Sequence, residues 1–416
     1  MQTLKEVAQT MIQTIITDNM PDVAVINALK AHDFKNRKIY LVAIGKAAWT
    51  MAKAASDHLG EKIEKGIVIT KYDHQMGKIP RIDIFEAGHP VLDENTLSAT
   101  QKALDLVENL TKEDEVLFLI SGGGSALFEM PKVGITLDEL ATLTDHLLAS
   151  GADIVEINMI RKRLSKVKAG HFAKACQPAR VFAVVLSDVL GDRLDMIASG
   201  PAAPDMSTTS DVLAVVKKYQ LDLTPKQLTY LSEEPPKQLD HVKTVVTGSV
   251  KSLCQSASTI ASALGFTPYI LTTTLNCEAR EAGRFLASVA VDTVECLNHF
   301  KKPCAIIAGG ETVVTLKGKG LGGRNQELAL SAATGISGLK DVLIFSLGSD
   351  GTDGPTDAAG GLVDGATVET LKKAGYDIDQ ILANNDAYHG LQASGGLIVT
   401  GPTGTNVNDI AIILCK

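Results

Sequence analysis

The sequence predicts a two-domain α/β protein with mainly parallel sheets, and three observations carry that reading. The chain has 416 residues, more than one hydrophobic core of ordinary size takes up. Short β-branched runs alternate with longer segments of helical period, the pattern of βαβ units in both halves. Between Leu221 and His241, Pro225, Pro235 and Pro236 interrupt the apolar period and deny regular backbone pairing. The boundary is placed there, giving domains 1–235 and 236–416.

The chain opens on MQTLKEVAQTMIQTIITDNM, an amphipathic segment without the basic region, apolar core and cleavage site of a secretory signal, so a cytoplasmic location is expected. Strands are then expected at 38–44, 65–70, 115–120 and 180–186. Thr136 and Glu139 form a capping box ahead of LATLTDHLL and mark a helix start. After the boundary, strands are expected at 243–248, 267–272, 302–310, 313–318 and 341–348, with helices at 250–264 and 278–297. The tail GGLIVTGPTGTNVNDIAIIL carries two more strand-like runs, and from about residue 385 it is free to pack back on the first domain.

Composition removes several function classes. Hydrophobic residues make up 45% and charged residues 21%, and no run is long and apolar enough to span a membrane. The net charge of -8 comes without a Lys/Arg-rich tract, so the electrostatic footprint of a nucleic-acid partner is missing. Cys176, Cys254, Cys277, Cys296, Cys304 and Cys415 include no CxxC pair, which points to reduced, mostly buried thiols rather than zinc or a redox dithiol. There is no HExxH, GxSxG or Cys–His signature.

In open α/β sheets ligands sit beyond the carboxyl ends of the strands, where loops and helix N-termini gather exposed amides. The strand exits of this chain combine glycine with charge or hydroxyl. Ser121-Gly122-Gly123-Gly124-Ser125 lets backbone N–H groups approach an anion closely, with two hydroxyl donors beside them; a tight strand-to-helix turn would need only one glycine. Lys46 stands where a strand passes into a helix and aims an ammonium at the same edge, against the ordinary alternative of a solvated surface lysine. Gly318, Gly320, Gly322 and Gly323 precede Arg324, which reads as a flexible anion loop capped by a guanidinium or, more plainly, as a surface hairpin. Asp188 and Asp192, and Asp350, Asp353 and Asp357, offer oxygen ligands suited to Mg²⁺ on substrate phosphates; Asp353 and Asp357 equally suit turns. Glu311, at a strand boundary, suits a ligand or base, against the plainer reading of a solvated edge residue. Arg280 and Arg284, one helical turn apart, read as a solvated face.

Gly318, Gly320 and Gly323 also satisfy GxGxxG after the expected strand 313–318. The acid that should close the next strand of a dinucleotide fold is missing, since that strand ends in Ser-Leu-Gly. The phosphate-loop pattern fails as well, because Ala follows Gly45-Lys46 and Tyr40 holds the place of its first glycine.

The segments IGKAAW, EAGHPVLDENT, LISGGGSALFE, VLSDVLGDRLDMIASGPAAPD, GGETVVTLKGKGLGGRNQELAL, GSDGTDGPTDAAGG and TGPTGTNVNDI together resemble the glycerate 2-kinases of the MOFRL family, from end to end. The resemblance implies a Rossmann-like N-terminal domain, a second α/β (MOFRL) domain, an active site in the cleft between them, and ATP-dependent phosphorylation of D-glycerate at O2 with Mg²⁺. It puts Lys46 and Arg324 in the active site, with Asp188 as a further catalytic candidate. Ser121, Gly122, Gly123, Gly124, Ser125, Glu311, Gly322, Gly323 and Asn406 then fall to substrate or phosphate binding, and Asp350 and Asp192 to the metal. Some relatives carry the name hydroxypyruvate reductase, so an NAD(P)H-dependent reductase is the competing expectation. Monomer and homodimer are both left open.

Overall fold

The computed structural model describes residues 2–295 and 300–416, and the chain divides into two compact units. One is Pro21–Thr247; the other joins Met1–Met20 to Gly248–Lys416.

The unit 21–247 is built on six strands, β1 (Lys38–Ile44), β2 (Ile63–Lys71), β3 (Ile82–Ala87), β4 (Asp114–Ile120), β5 (Arg180–Leu186) and β6 (Val242–Gly248), in the order β3-β2-β1-β4-β5-β6. β1 pairs in parallel with β2 and β4, β2 with β3, and β4 with β5. Both faces are covered, and the alternation of side chains along each strand shows it. Val42, Ile44, Val116, Phe118, Ala183 and Val185 enter one core cluster; Leu41, Ala43, Leu117, Leu119, Phe182 and Val184 enter another. Strands buried on two faces read as unbroken apolar runs, which is why β1 and β5 coincide with their predicted spans. The capping box at Thr136 and Glu139 is present, opening the helix Leu137–Ala149.

The other unit holds β7 (Thr267–Leu275), β8 (Cys304–Gly310), β9 (Val342–Gly348), β10 (Gly360–Asp364), β11 (Leu397–Ile398) and β12 (Asp409–Cys415), in the order β11-β10-β9-β12-β8-β7. Only the β7–β8 pair is parallel among these ladders. The expected mainly parallel sheet is corrected here, because β12 inserts antiparallel between β8 and β9. Its apolar run IAIIL is buried throughout, so the central place in the sheet is the one that removes it from water.

Four further expectations change. The strand 243–248 belongs to the first sheet, beside β5, rather than to the second half. The tail, which was free to pack back on the first domain, pairs through β11 and β12 in the second sheet. The N-terminal helix Leu4–Asp18 belongs with the C-terminal unit; its face of Val7, Ala8, Met11, Ile12 and Ile15 is buried, and Ser256 donates to Asp18 at 3.3 Å while Thr405 donates to the Asn19 carbonyl at 2.9 Å. The segment 313–318 forms one isolated bridge, Val313 to Glu278, and leaves Leu316 exposed. The domain division expected at 235/236 therefore differs from the compact units at both ends, because pairing partners distant in sequence decide where a segment packs.

The helix Ala279–Glu295 covers most of the expected span 278–297, whose last two residues lie outside the described residues. Cys176, Cys254, Cys304 and Cys415 are buried and Cys277 is exposed; Cys296 lies outside the described residues. Among the described residues no helix is long and apolar enough to cross a membrane.

Candidate active site

In the unit 21–247 the strand order reverses between β1 and β4, with β2 and β3 to one side and β5 and β6 to the other. Loops leaving two such strands diverge and open a crevice. The two loops at this switch point are those that carry Lys46 and the glycines 122–124.

They are tied together. The Lys46 N–H donates to the Gly122 carbonyl at 2.9 Å, the Ala47 N–H donates to Ser121 Oγ at 3.1 Å, and Ser121 Oγ donates to the Ile44 carbonyl at 3.2 Å. Ser121 is buried and its hydroxyl fastens one strand exit to the other, so it shapes the turn instead of serving as the exposed phosphate donor expected. Gly123 has φ +84, and a Cβ there would come within 3.0 Å of the His89 ring and 3.2 Å of Lys46 Cγ. Gly122 lies under the Asp188 carboxylate, whose Oδ2 would sit 2.4 Å from an added Cβ. Among the described residues the amides of Gly122, Gly123 and Ser125 have no acceptor, and the exposed Lys46 ammonium has no ion-pair partner. Open amides with an unpaired cation beside them form an anion seat.

A buried pair supports this turn from below. Lys168 donates from Nζ to the carbonyls of Ser125 and Phe128 at 2.8 and 3.2 Å and lies 3.5 Å from Glu129, both side chains being out of water. Burial brings the Lys168 pKa down to about 8, against the pull of Glu129. The Ser125 hydroxyl is 2.9 Å from Ser199 Oγ. His89, on the loop after β3, has its pKa lowered by burial and by the Lys46 charge, which favours the neutral ring. Neither His89 nor the Lys168–Glu129 pair is among the sequence candidates; the sequence signal for His89 is its place after a strand, in EAGHP, and β3 is too polar to stand out as one.

The other unit assembles a second group. Arg324 begins the helix Arg324–Gly335. Its Nε and Nη2 donate to the two oxygens of Asp409 at 2.6 and 3.0 Å, and Nη1 donates to Glu311 at 2.8 Å. Asn408 donates to the other Glu311 oxygen at 3.1 Å. Such a two-pronged carboxylate fixes the guanidinium plane. Burial opposes the Arg324 charge, and Asp409 with Glu311 more than offsets it, so its pKa is raised. Burial pushes the Asp409 carboxyl up to about 6 against the pull of Arg324. Glu311 and Asp409 thus both orient Arg324; Asp409 is not among the sequence candidates, although an acid opening a wholly apolar strand is its signal.

The glycine-rich loop ahead of Arg324 is not the flexible anion loop expected. Lys317 and Gly318 N–H groups donate to Asn385 Oδ1 at 2.7 and 3.0 Å, and Lys319 N–H donates to Asn384 Oδ1 at 3.1 Å. Gly320 N–H donates to the Asn384 carbonyl at 2.8 Å and Leu321 N–H to Asp386 at 2.9 Å. A Cβ at Gly320 would fall 2.4 Å from that of Asp386, so the glycine admits a close approach of two chain segments. The GxGxxG match is accounted for by this packing and offers no open amides at 318 and 320. The amides of Gly322 and Gly323 have no acceptor among the described residues and stay available beside Arg324. Arg280 is likewise not on a solvated face: it donates to Glu327 at 2.9 Å, and Asn385 donates to the same carboxylate at 3.0 Å.

The aspartates separate in role. Asp353 is buried and accepts from the N–H groups of Asn325 and Gln326 at 3.1 and 2.9 Å, capping the Arg324 helix. Asp350 accepts from the Thr352 N–H at 3.1 Å, and a Cβ at Gly348 would lie 3.2 Å from its Oδ1 and 3.4 Å from Asp409 Oδ1. Asp192 takes φ +54 and belongs to the other unit. No group of three or more His, Cys, Asp or Glu is arranged to hold a metal among the described residues. Asn406 accepts from the Asn408 N–H at 3.4 Å and so shapes the turn that delivers Asn408.

Comparison with known proteins finds two family matches. Residues 7–232 match a domain described as of unknown function (DUF4147), and residues 304–409 match the MOFRL family. A curated relative from Thermotoga maritima called D-glycerate 2-kinase is 53% identical over 99% of this chain and 98% of its own length. A glycerate 2-kinase from Pyrococcus horikoshii is 41% identical over 99% of this chain and 97% of its own. The crystal structure of a glycerate kinase from Thermotoga maritima superposes with a TM-score of 0.96 at 53% identity, covering 99% of both chains.

Proposed function

The chain belongs to the MOFRL-family glycerate 2-kinases, and from that premise we propose that it transfers the terminal phosphoryl group of ATP to O2 of D-glycerate, giving 2-phosphoglycerate and ADP. The observation that carries the reading is the Lys46 ammonium, without an ion-pair partner among the described residues, beside the Gly122, Gly123 and Ser125 amides that have no acceptor among them, at the switch point of the sheet. A free cation over a backbone anion seat suits phosphate or carboxylate and has no use in a purely structural turn.

Phosphoryl transfer demands positioning and charge neutralisation more than covalent help from protein. Lys46 and the Gly122–Ser125 turn hold anionic oxygens. Arg324, its plane set by Asp409 and Glu311, follows the charge on the phosphoryl group in transit, and the amides of Gly322 and Gly323 lie beside it. The bond between O2 and the γ-phosphorus forms as the bridging β,γ P–O bond breaks, and ADP departs. The proton of the O2 hydroxyl passes to a carboxylate, a role we assign to Asp188 because its carboxylate rests on the anion turn. Mg²⁺ taken up with a nucleotide needs one or two protein carboxylates, its other ligands being phosphate and water, so single acids such as Asp350 and Asp192 fit it although the described residues form no three-acid cage. When bound it would neutralise phosphate charge.

Purified protein with ATP, Mg²⁺ and D-glycerate should release ADP only when glycerate is present, and chromatography should find 2- rather than 3-phosphoglycerate. Sustained oxidation of NADH or NADPH by hydroxypyruvate, without glycerate-dependent ADP, would overturn the proposal in favour of a reductase.

A further inference from the structure

The unit 21–247 contains a cavity of about 860 Å³ that the residues assigned above leave almost untouched. Its wall is formed by the loop that follows Asp188, by the helix Ile154–Arg163 and by β6. Such a volume lies within the range of small-molecule sites and is far more than a three-carbon acid can fill. The lining combines flexible apolar side chains, Met159, Leu194 and Met206, with the carboxylates Asp195 and Asp205.

The cations of this wall are already neutralised. Lys162, almost wholly buried, lies 3.3 Å from Asp205 and 3.7 Å from Asp195. Arg193 pairs with Asp195 at 2.7 Å, and Lys237 pairs with Glu234 at 2.9 Å. A wall so balanced offers no seat to a free anion, yet its carboxylate oxygens can accept from hydroxyl or amino groups, and the polarisable thioethers can pack against a flat ring.

A relay of side-chain contacts links the cavity wall to the anion turn. Met196 on its wall lies 3.9 Å from Asn158 Nδ2, Ser199 Oγ is 3.5 Å from Asn158 Oδ1, and Ser199 is in turn 2.9 Å from Ser125 Oγ. We propose that this cavity holds the nucleoside half of ATP, with the base against Met159 and Leu194 and the ribose hydroxyls donating to Asp205 or Asp195. The phosphates then run along the loop after Asp188 to the Gly122–Ser125 turn. The assignment rests on the phosphotransfer reading and adds to it that the nucleotide is held by the unit 21–247.

Two measurements decide it, and neither requires turnover. Calorimetric titration of the protein with MgADP should give binding that Met159→Trp, which places an indole in the cavity, weakens at least tenfold while the melting curve stays cooperative; unchanged affinity in that variant would overturn the proposal. Met206 is largely exposed, so M206C in a Cys277→Ser background leaves the packing intact if Met159→Trp does not fold. Alkylation at position 206, located by peptide mass spectrometry, should slow at least tenfold with saturating MgADP and not with D-glycerate. Protection by glycerate, or none by MgADP, would overturn the assignment. Because ADP binding is read directly, a wild-type protein that binds ADP in the cavity yet fails to phosphorylate glycerate would refute the proposed reaction and leave the cavity assignment standing.

Discussion

The turn 121–125 and the loop 317–323 are both glycine-rich, both lie near a charged side chain, and use their amides in opposite ways. In the turn, Gly122, Gly123 and Ser125 point N–H groups at no acceptor among the described residues. In the loop, each amide from Lys317 to Leu321 is bonded to Asn384, Asn385 or Asp386. The glycines answer different demands: Gly123 takes φ +84, whereas Gly320 makes room for Asp386. Glycine content alone does not make an anion seat. The fate of the donors does, and that depends on a segment more than sixty residues away in the chain.

The cations differ in the same sense. Lys46 has no ion-pair partner among the described residues, so its charge is available to a ligand, while Arg324 is held on three sides by Asp409 and Glu311. Lys46→Ala should therefore give the largest effect, a fall in kcat of about 10²–10³-fold with an unchanged fold, as for loss of a preorganised charge on the transition state. Near-normal turnover in the folded variant would remove Lys46 from the site. Gly320→Ala tests the loop: it should lower the unfolding free energy by about 1–3 kcal/mol through overpacking against Asp386, read by chemical denaturation, while MgADP affinity stays at the wild-type value. A stable Gly320→Ala protein that had lost ADP binding would restore the loop as an anion seat.

Asp353→Ala should come next, costing about 1–2 kcal/mol for the lost cap of the Arg324 helix and raising KM or lowering kcat only as far as Arg324 shifts. The smallest effect expected is on pH dependence. The Asp409 carboxyl titrates near 6, above its ordinary value; above that pH it is ionised and fixes Arg324, and as pH falls through about 6 it takes up a proton and the two-pronged pair weakens. Turnover should therefore drop on the acid side, and Asp409→Asn should abolish that limb at a lower plateau. A wild-type rate that is level across pH 6 would show that Asp409 stays ionised.

Much of this was legible from the chain itself. Strands buried on both faces, β1, β4 and β5, announce themselves as unbroken apolar runs because neither face may be polar. Lys46 and the turn 121–125 stand out in the sequence because ligand sites gather at strand exits, and the structure places both at the switch point of the first sheet. The exposed edge strand β6 was recognisable as a strand but was given to the wrong sheet, and β3, with its half-polar pattern, was not recognised at all; with β3 went His89.

What the sequence determined alone is therefore the local part: which segments are strands or helices, where charge meets glycine, and, by resemblance, which family these motifs belong to. Tertiary structure decided everything that depends on a distant partner. It placed the N-terminal helix with the C-terminal unit, set β12 between β8 and β9, turned Ser121 and Glu311 into positioning groups, revealed Asp409 as the anchor of Arg324, and filled the amides of one glycine loop while leaving those of the other open. The physical reason is the same each time. A backbone donor or a carboxylate is satisfied by whichever group lies within about 3 Å in space, and sequence spacing carries no record of that group when it comes from another part of the chain.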